Sequence, residues 1–494
     1  VGNVTADVEL EFPRPALSQQ TAALVRSWNM PAFALFMEQG TCKTGVVLRN
    51  AAILHHQGLL NGLIILADNG LHRNWVVDEM PLDWPVNLPW EGWVWDTGRS
   101  HTKTGQHDFD AFCQTKAFPI LAMNIEALIT PTGKAALRQF TEVRKPVMTA
   151  IDESTCIANP GIHRTKTAMA LGARSAYRRI LTGTPFAEGP LKAYAPFRFL
   201  DTRILGFTSF TAFKAQYAEW ELKQFPGQPR PFLELKGYKN LEELKAKIAP
   251  YSYRVLKSEC MDLPPKLYEK RYFPLSPLQQ QHYTRLKQQF EIELAQLPLI
   301  TVDHVLTRRM RLQQIASGFV GGLDAEGQRV LHRLGTNARL EAFRAVIEAT
   351  PRHVQSLVWA RFIYDIDEIC RLLANMGESY TRYDGSTPQD QRTRGRQLFQ
   401  AGECRWFVGN PRAGGKGLNL QNASQGIFYT NDSRLEYRLQ AEDRQHRSGS
   451  QIHSNITYLD MVALGTVDEK IVTELRDKKD ISDLMTGDRP GEWL

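Results

Sequence analysis

Short apolar runs recur along the chain, each followed by turn residues or by a helical pattern. AFALFM (32–37), GLIILA (62–67), FPILAMN (118–124), VMTAID (147–152) and RRILTG (178–183) are continuous rather than alternating, which predicts strands buried on both faces. A turn and an apolar helical stretch, Val46 to His56, follow the first of them. The second half repeats the arrangement with SLVWA (356–360), RWFVGN (405–410), GIFYTND (426–432) and ITYLDMVA (456–463). Helices between such strands imply parallel sheets, so the expected fold is α/β, occurring twice. Between the halves, residues 207–250 carry helical patterning around a polar FPGQPRP interruption (225–231), and residues 276–318 are strongly helical. Leu263-Pro264-Pro265 disfavours both helix and central strand and marks the boundary. The expected organisation is residues 1–263 with a helical insertion at about 207–250, then residues 264–494 with a helical protrusion at about 276–330.

Composition narrows the class. At 43% hydrophobic and 23% charged, the 494 residues read as globular protein. No apolar run approaches the roughly 18 residues of a membrane span. Val1 to Phe12 has neither the basic nor the apolar region of a signal peptide. The six cysteines form no C-x-x-C pair, which argues against a zinc ribbon or a disulfide framework and for a reducing, cytoplasmic setting. A net charge of +7 suits a polyanionic partner, although many enzymes carry as much.

Five segments carry chemistry. In AFALFMEQGTCKTGVVL (32–48) a buried strand meets a tight turn and Lys43-Thr44 opens a helix. Backbone N–H groups at such a helix start can cradle phosphates, with the lysine on the β/γ charge and the threonine hydroxyl on Mg2+. The strict phosphate-loop pattern would need glycine at Met37 and Cys42, so an ordinary strand–turn–helix stays open on these residues alone. VMTAIDEST (147–155) ends a strand on adjacent carboxylates, with Asp152 placed for Mg2+ and Glu153 for the attacking water; its plain alternative is a solvated turn. LTGTPFAEGP (181–190) and GNPRAGGKGLNLQNAS (409–424) read alone as a turn and a flexible loop. In RLQAEDRQHRSGS (438–450), Gln440, Arg444 and Arg447 are spaced to share one helical face, from which two guanidiniums could reach a γ-phosphate.

The set MEQGTCKT, IDEST, LTGTP, NPRAGGKGLNL and QAEDRQHRSG, in this order and spacing, resembles helicase superfamily two and within it the Swi/Snf group. IILADNGLHRNW (64–75), LPPKLYEKRYFPLSPLQQQHY (263–283), SLVWARF (356–362) and YDGSTPQDQR (383–392) look like further pieces of that family, so the resemblance covers about residues 12 to 475. The compact length is similar to stand-alone phage or bacterial members. The resemblance implies two RecA-like lobes, each a mostly parallel sheet flanked by helices, with helical insertions. It implies a monomeric, DNA-stimulated ATPase that uses ATP and Mg2+ at the cleft between its lobes to translocate on duplex DNA with little sequence preference. The cytoplasm is then its place, that of a bacterial host if phage-encoded.

Roles carry over residue by residue. Gln19 resembles the adenine-reading glutamine, with Gln20 as the neighbouring alternative. Gly40, Thr41, Cys42, Lys43 and Thr44 resemble the phosphate loop, Thr44 and Asp152 the Mg2+ ligands, and Glu153 the catalytic carboxylate. Thr182 and Thr184 would couple nucleotide state to DNA grip. Gly417, Asn419 and Gln440 would line the nucleotide site from the second lobe, with Arg447 the arginine finger and Arg444 a neighbouring γ-phosphate contact. Asn69, Arg73 and Asn74, and in the second lobe Arg361 and Arg412, would hold DNA phosphates. Three residues depart from the family pattern: Cys42 for glycine, Asp68 for proline, and Asn410 for serine or threonine. At a helix start beside Lys43, Cys42 is expected to be a reactive thiolate. Two other readings remain: a strand-separating DNA or RNA helicase, for which no wedge or pin is recognisable, and a DNA clamp whose ATPase is lost through Cys42.

Overall fold

Two fully parallel sheets carry the chain. In the computed structural model, which describes residues 9–223, 232–296, 302–323, 326, 329–412 and 418–488, the first half forms strands β1 (Ala32–Met37), β2 (Gly62–Ala67), β3 (Trp90–Val94), β4 (Phe118–Asn124), β5 (Val147–Asp152), β6 (Tyr177–Leu181), β7 (Ala218–Lys223), β8 (Phe232–Tyr238) and β9 (Ser252–Val255). Seven of these make one sheet in the order β3-β4-β2-β5-β6-β1-β9, every neighbouring pair parallel. Alternate residues of one strand feed two cores. Ala34 and Phe36 pack on one face of the sheet with Ile64 and Leu66, while Phe33, Leu35 and Met37 pack on the other with Leu63 and Ile65. Burial on both faces is why these runs read as continuous apolar sequence, and each fully buried Leu or Ile contributes roughly 1.5–3 kcal/mol.

The second half forms β10 (Lys266–Phe273), β11 (Phe319–Leu323), β12 (Arg329–Arg333), β13 (Ser356–Trp359), β14 (Tyr380–Tyr383), β15 (Trp406–Gly409), β16 (Gln425–Phe428) and β17 (Ile456–Ala463). Six of them make the other sheet in the order β10-β17-β16-β13-β15-β14, again parallel throughout. Leu357, Trp359, Phe407 and Phe428 anchor a core on it. The chain thus divides into two compact α/β units. The first takes the residues up to Tyr217 with Tyr238–Met261 and Met485–Asp488; the second takes Ala218–Gly237 and Asp262–Leu484. Among the described residues no helix is long and apolar enough to cross a membrane.

Two helical expectations need correction. Among the described residues of 207–250 only Phe210–Tyr217 and Leu241–Ile248 are sizeable helices, and β7 and β8 pair as a separate two-stranded sheet. AEWELK alternates apolar and charged residues, a period of two that suits a strand. The FPGQPRP interruption lies outside the described residues. The protrusion does hold two helices, Pro277–Gln296 and Val302–Ala316, but it ends in the antiparallel pair β11–β12. Gly318 makes that change of direction at φ +82°, where a Cβ would sit 2.9 Å from the Thr336 carbonyl oxygen.

Candidate nucleotide and DNA site

Parallel strands deliver their C-terminal ends to one edge of the first sheet, and the candidate residues lie there. After β1 the chain turns through Gly40 at φ +93° and Cys42 at φ +63° before the fourteen-residue helix Lys43–His56 begins. A left-handed backbone costs a non-glycine residue about 1–2 kcal/mol, which explains why glycine suits position 42. The buried Thr41 uses its hydroxyl on the Glu38 carbonyl at 2.8 Å, so it offers this loop its backbone. Thr44 is half-buried in the first helical turn.

Gln20 reaches this loop. Its amide donates to the Cys42 carbonyl at 3.1 Å and accepts from the Leu17 N–H at 2.9 Å, whereas Gln19 accepts from the Ser18 hydroxyl on the outside. The structure therefore brings the neighbouring glutamine, not Gln19, to the phosphate-loop candidate. Gly45 makes the approach possible, since a Cβ there would overlap the Gln20 amide and the Asp83 carboxylate. Asp83 is fully buried and paired with Arg14 and with Arg49, whose Nε lies 3.0 Å from it. Burial runs against the thiolate expected at Cys42. Burial is the largest effect and pushes its thiol up; Arg14 opposes, while Glu79 and Asp83 push the same way as burial.

Lys43 Nζ donates to Glu153 Oε1 at 3.4 Å across two strand ends, both groups nearly buried. The other oxygen, Oε2, accepts from the Thr182 hydroxyl at 3.2 Å, and that hydroxyl in turn accepts the Thr184 N–H at 3.1 Å. Glu153 itself is left-handed at φ +49°. Among the described residues the non-glycine positions of positive φ are Cys42, Glu153 and Asn240, and two of the three sit in this site, as strained backbone at functional sites often does. The LTGTP loop lies so close that a Cβ on Gly183 would approach the Glu38 Cα to 3.1 Å. Asp152 ends β5 beside these groups, its Oδ1 accepting the Glu153 N–H at 3.0 Å and its Oδ2 the Trp75 indole N–H at 3.2 Å. Sequence reasoning gave Trp75 no role. The donor set fits Mg2+, since Thr44 and Asp152 offer hard oxygens and a bound phosphate would add more.

The turn after β2 carries the first set of DNA candidates. Asn69, Arg73 and Asn74 are all exposed, while His72 between them is buried and its Nε2 lies 3.3 Å from the Trp95 carbonyl oxygen.

In the second unit, Gln440, Arg444 and Arg447 do not share a helical face. The helix Leu435–Glu442 stops short of both arginines, which lie in the turns that follow. Beyond it the chain only turns: the Glu442 carbonyl accepts from the Gln445 and His446 N–H groups at 3.1 Å each and from the Tyr458 hydroxyl at 2.9 Å, and the Arg444 carbonyl accepts from the Leu420 N–H at 3.0 Å. Gln440 donates to Glu436 at 3.1 Å. Arg447 donates to the Leu418 carbonyl at 3.1 Å, beside Asn419, whose own carbonyl accepts from Gln400 at 2.7 Å. Burial pulls the Arg447 guanidinium down, against the Asp443 charge. Arg444 is buried. Gly417 lies outside the described residues. An unforeseen network anchors this region: Glu442 accepts from Arg438, Lys266 and Tyr268, and Arg438 also pairs with Asp460. Burial alone would raise Glu442, but Lys266 and Arg438 outweigh it and hold the carboxyl at about 2.

Arg361 and Arg412 share a clasp. The Asn410 amide donates to the Ala360 and Arg361 carbonyls at 3.1 and 2.7 Å, and its oxygen accepts the Arg412 N–H at 2.9 Å. Arg412 is exposed; Arg361 is tied to Gln313 at 2.9 Å and to Asp432 at 3.6 Å.

Comparison with known proteins gives matches to two families. The SNF2-related domain matches residues 42–318, and the helicase conserved C-terminal domain matches residues 338–449. The human SWI/SNF-related matrix-associated actin-dependent regulator of chromatin subfamily A member 1 is 26% identical over 309 residues, 60% of this chain and 28% of that protein. Transcription regulatory protein SNF2 of Saccharomyces cerevisiae is 27% identical over 326 residues, 62% of this chain and 18% of its own. The chain thus spans less than a third of the length of either relative. Among solved structures, the Sulfolobus solfataricus SWI2/SNF2 ATPase core in complex with dsDNA aligns over 97% of this chain and 95% of that one, at 19% identity and a TM-score of 0.41.

Proposed function

The chain belongs to the SNF2-related family, and from that membership we propose that it is a DNA-stimulated ATPase that translocates on duplex DNA. The observation that carries the reading is the connected set Lys43–Glu153–Thr182 at the strand ends of the first unit, which joins three separate motifs through side chains. Phosphoryl transfer asks a protein mainly to position groups and neutralise charge. Lys43 would exchange its pairing with Glu153 for the β/γ-phosphates of ATP, at a helix N-terminus that favours anions. Glu153, still held through Oε2 by Thr182, is then turned toward the attacking water and takes its proton as the water oxygen bonds to the γ-phosphorus and the bond to ADP breaks. Thr44 and Asp152 would hold Mg2+, which would supply further charge neutralisation on the phosphates. Arg447 and Arg444 would stabilise the charge that develops on the transferred group.

Asn69, Arg73 and Asn74 in one unit, and Arg412 with Arg361 in the other, would grip the DNA backbone. Phosphate contacts carry little sequence information and weaken with salt, so binding should be sequence-tolerant and salt-sensitive. Measuring ATP hydrolysis alone and with duplex DNA, single-stranded DNA or RNA tests the reading. Preferential stimulation by duplex supports it, and stimulation by RNA alone assigns the chain to a different motor.

A further inference from the structure

The helix that follows β2 is irregular at one place. Leu71–Asn74 is α-helical, Trp75–Glu79 is a π-helical turn, and Met80–Asp83 is α-helical again. A π turn inside an α-helix is rare and frequently marks a functional site. Here it places Trp75, 2% exposed, with its indole N–H on Asp152 Oδ2. An indole N–H is a rigid donor with no capacity to accept. With Oδ1 held by the Glu153 N–H, both oxygens of Asp152 are fixed by donors, so the plane of the carboxylate is set before any ligand arrives. The residues just ahead of Trp75 on the same helical turn, Arg73 and Asn74, face solvent.

Resting on the function proposed above, we propose that Trp75 is a positioning residue for the metal-binding carboxylate, and that through it DNA held at Asn69, Arg73 and Asn74 tunes how tightly the site takes metal-bound nucleotide. A backbone phosphate drawn to that turn moves the short helix, and the helix carries the indole with it. Removing a partner that orients a metal-binding group typically costs on the order of 10–100-fold in metal affinity.

The test is equilibrium binding of a slowly hydrolysed ATP analogue to the full chain, measured in Mg2+ and in EDTA, with and without saturating duplex DNA. In Trp75→Phe the ring bulk stays and the donor goes. The Kd in Mg2+ should rise roughly tenfold, the Kd in EDTA should stay the same, and duplex should no longer tighten the Mg2+-dependent part. Equal weakening in Mg2+ and EDTA, or no weakening, overturns the proposal. Asp152→Asn separates the two layers. If it abolishes the Mg2+-dependent increment while Trp75→Phe keeps it, the metal assignment stands and the Trp75 inference falls. If Asp152→Asn keeps the increment, the metal assignment itself is wrong and the inference falls with it. The surface double variant Asn69→Ala/Arg73→Ala spares the core and guards against misfolding of Trp75→Phe. It should lose the effect of saturating duplex on the Mg2+-dependent part; an undiminished duplex effect overturns the transmission.

Discussion

The Thr182 hydroxyl donates to Glu153 Oε2 at 3.2 Å. This joins the LTGTP loop after β6 directly to the candidate base after β5, through two side chains that are almost wholly buried. Thr182→Val keeps the volume and removes the donor. Leaving a buried carboxylate oxygen short of a partner costs about 1–3 kcal/mol, so turnover should fall roughly tenfold or more, with little change in KM. Steady-state kinetics with saturating duplex check it, and wild-type kcat in the variant would remove Thr182 from the site.

Arg447 is the second test of the chemistry. Its guanidinium is half-buried, and burial pulls its pKa down, so an incoming anion relieves a group that already lacks solvent. Arg447→Ala should lower turnover on the order of 10³-fold, because it removes charge stabilisation specific to the transition state. ATP affinity should move far less. If Arg444→Ala is much the worse of the two, the roles of the two arginines are exchanged.

Cys42 adopts φ +63°. Cys42→Gly removes a Cβ from a left-handed backbone and should raise stability by about 1 kcal/mol, read as a higher denaturation midpoint. ATP binding should be kept or improved. Because burial holds the thiol up, alkylation of Cys42 at neutral pH should be slow compared with a free thiol. Rapid labelling at that position, or a lower midpoint for the glycine variant, contradicts the geometry.

Asp365 sets a pH dependence. It is fully buried, and burial pushes its carboxyl up to about 7, although Arg339, Thr430 and Ser317 favour the charged form. In the unfolded chain an aspartate titrates near 3.9. Between about pH 4 and 7 the folded state therefore holds the extra proton, so this group's stabilising contribution is lost as pH rises through that window. Asp365→Asn, neutral throughout, should flatten that part of the stability curve. An unchanged slope in denaturant titrations across the window would show that Asp365 is already ionised.

The central strands were readable and the edges were not. β1, β2, β4 and β5 fall on the expected apolar runs, because burial on both faces writes an unbroken hydrophobic stretch. The strands that escaped the large sheets' reading, β3, β9, β10 and β14, are the four strands at the sheet edges. KLYEKRYF, for one, is largely exposed and so carries no continuous run. The site followed the same rule. Lys43, Asp152 and Glu153 sit where strand ends and charged residues coincide in sequence. Asp83 and Trp75 depend on contacts with residues 34 and 77 positions away, which no local pattern announces. The arginine pair was expected on one helical face because the spacing carried no sign that the helix ends at Glu442, ahead of both.

The most direct test of the central claim is the rate of ATP hydrolysis with and without duplex DNA, with Glu153→Gln measured alongside. Duplex should raise the wild-type rate severalfold or more, and the stimulation should fade steeply as salt rises, because the contacts are with phosphates. Glu153→Gln should bind ATP and duplex yet turn over on the order of 10²-fold or more slowly. A wild-type chain that binds duplex but hydrolyses ATP no faster than Glu153→Gln would contradict the account and make it a DNA clamp rather than a motor.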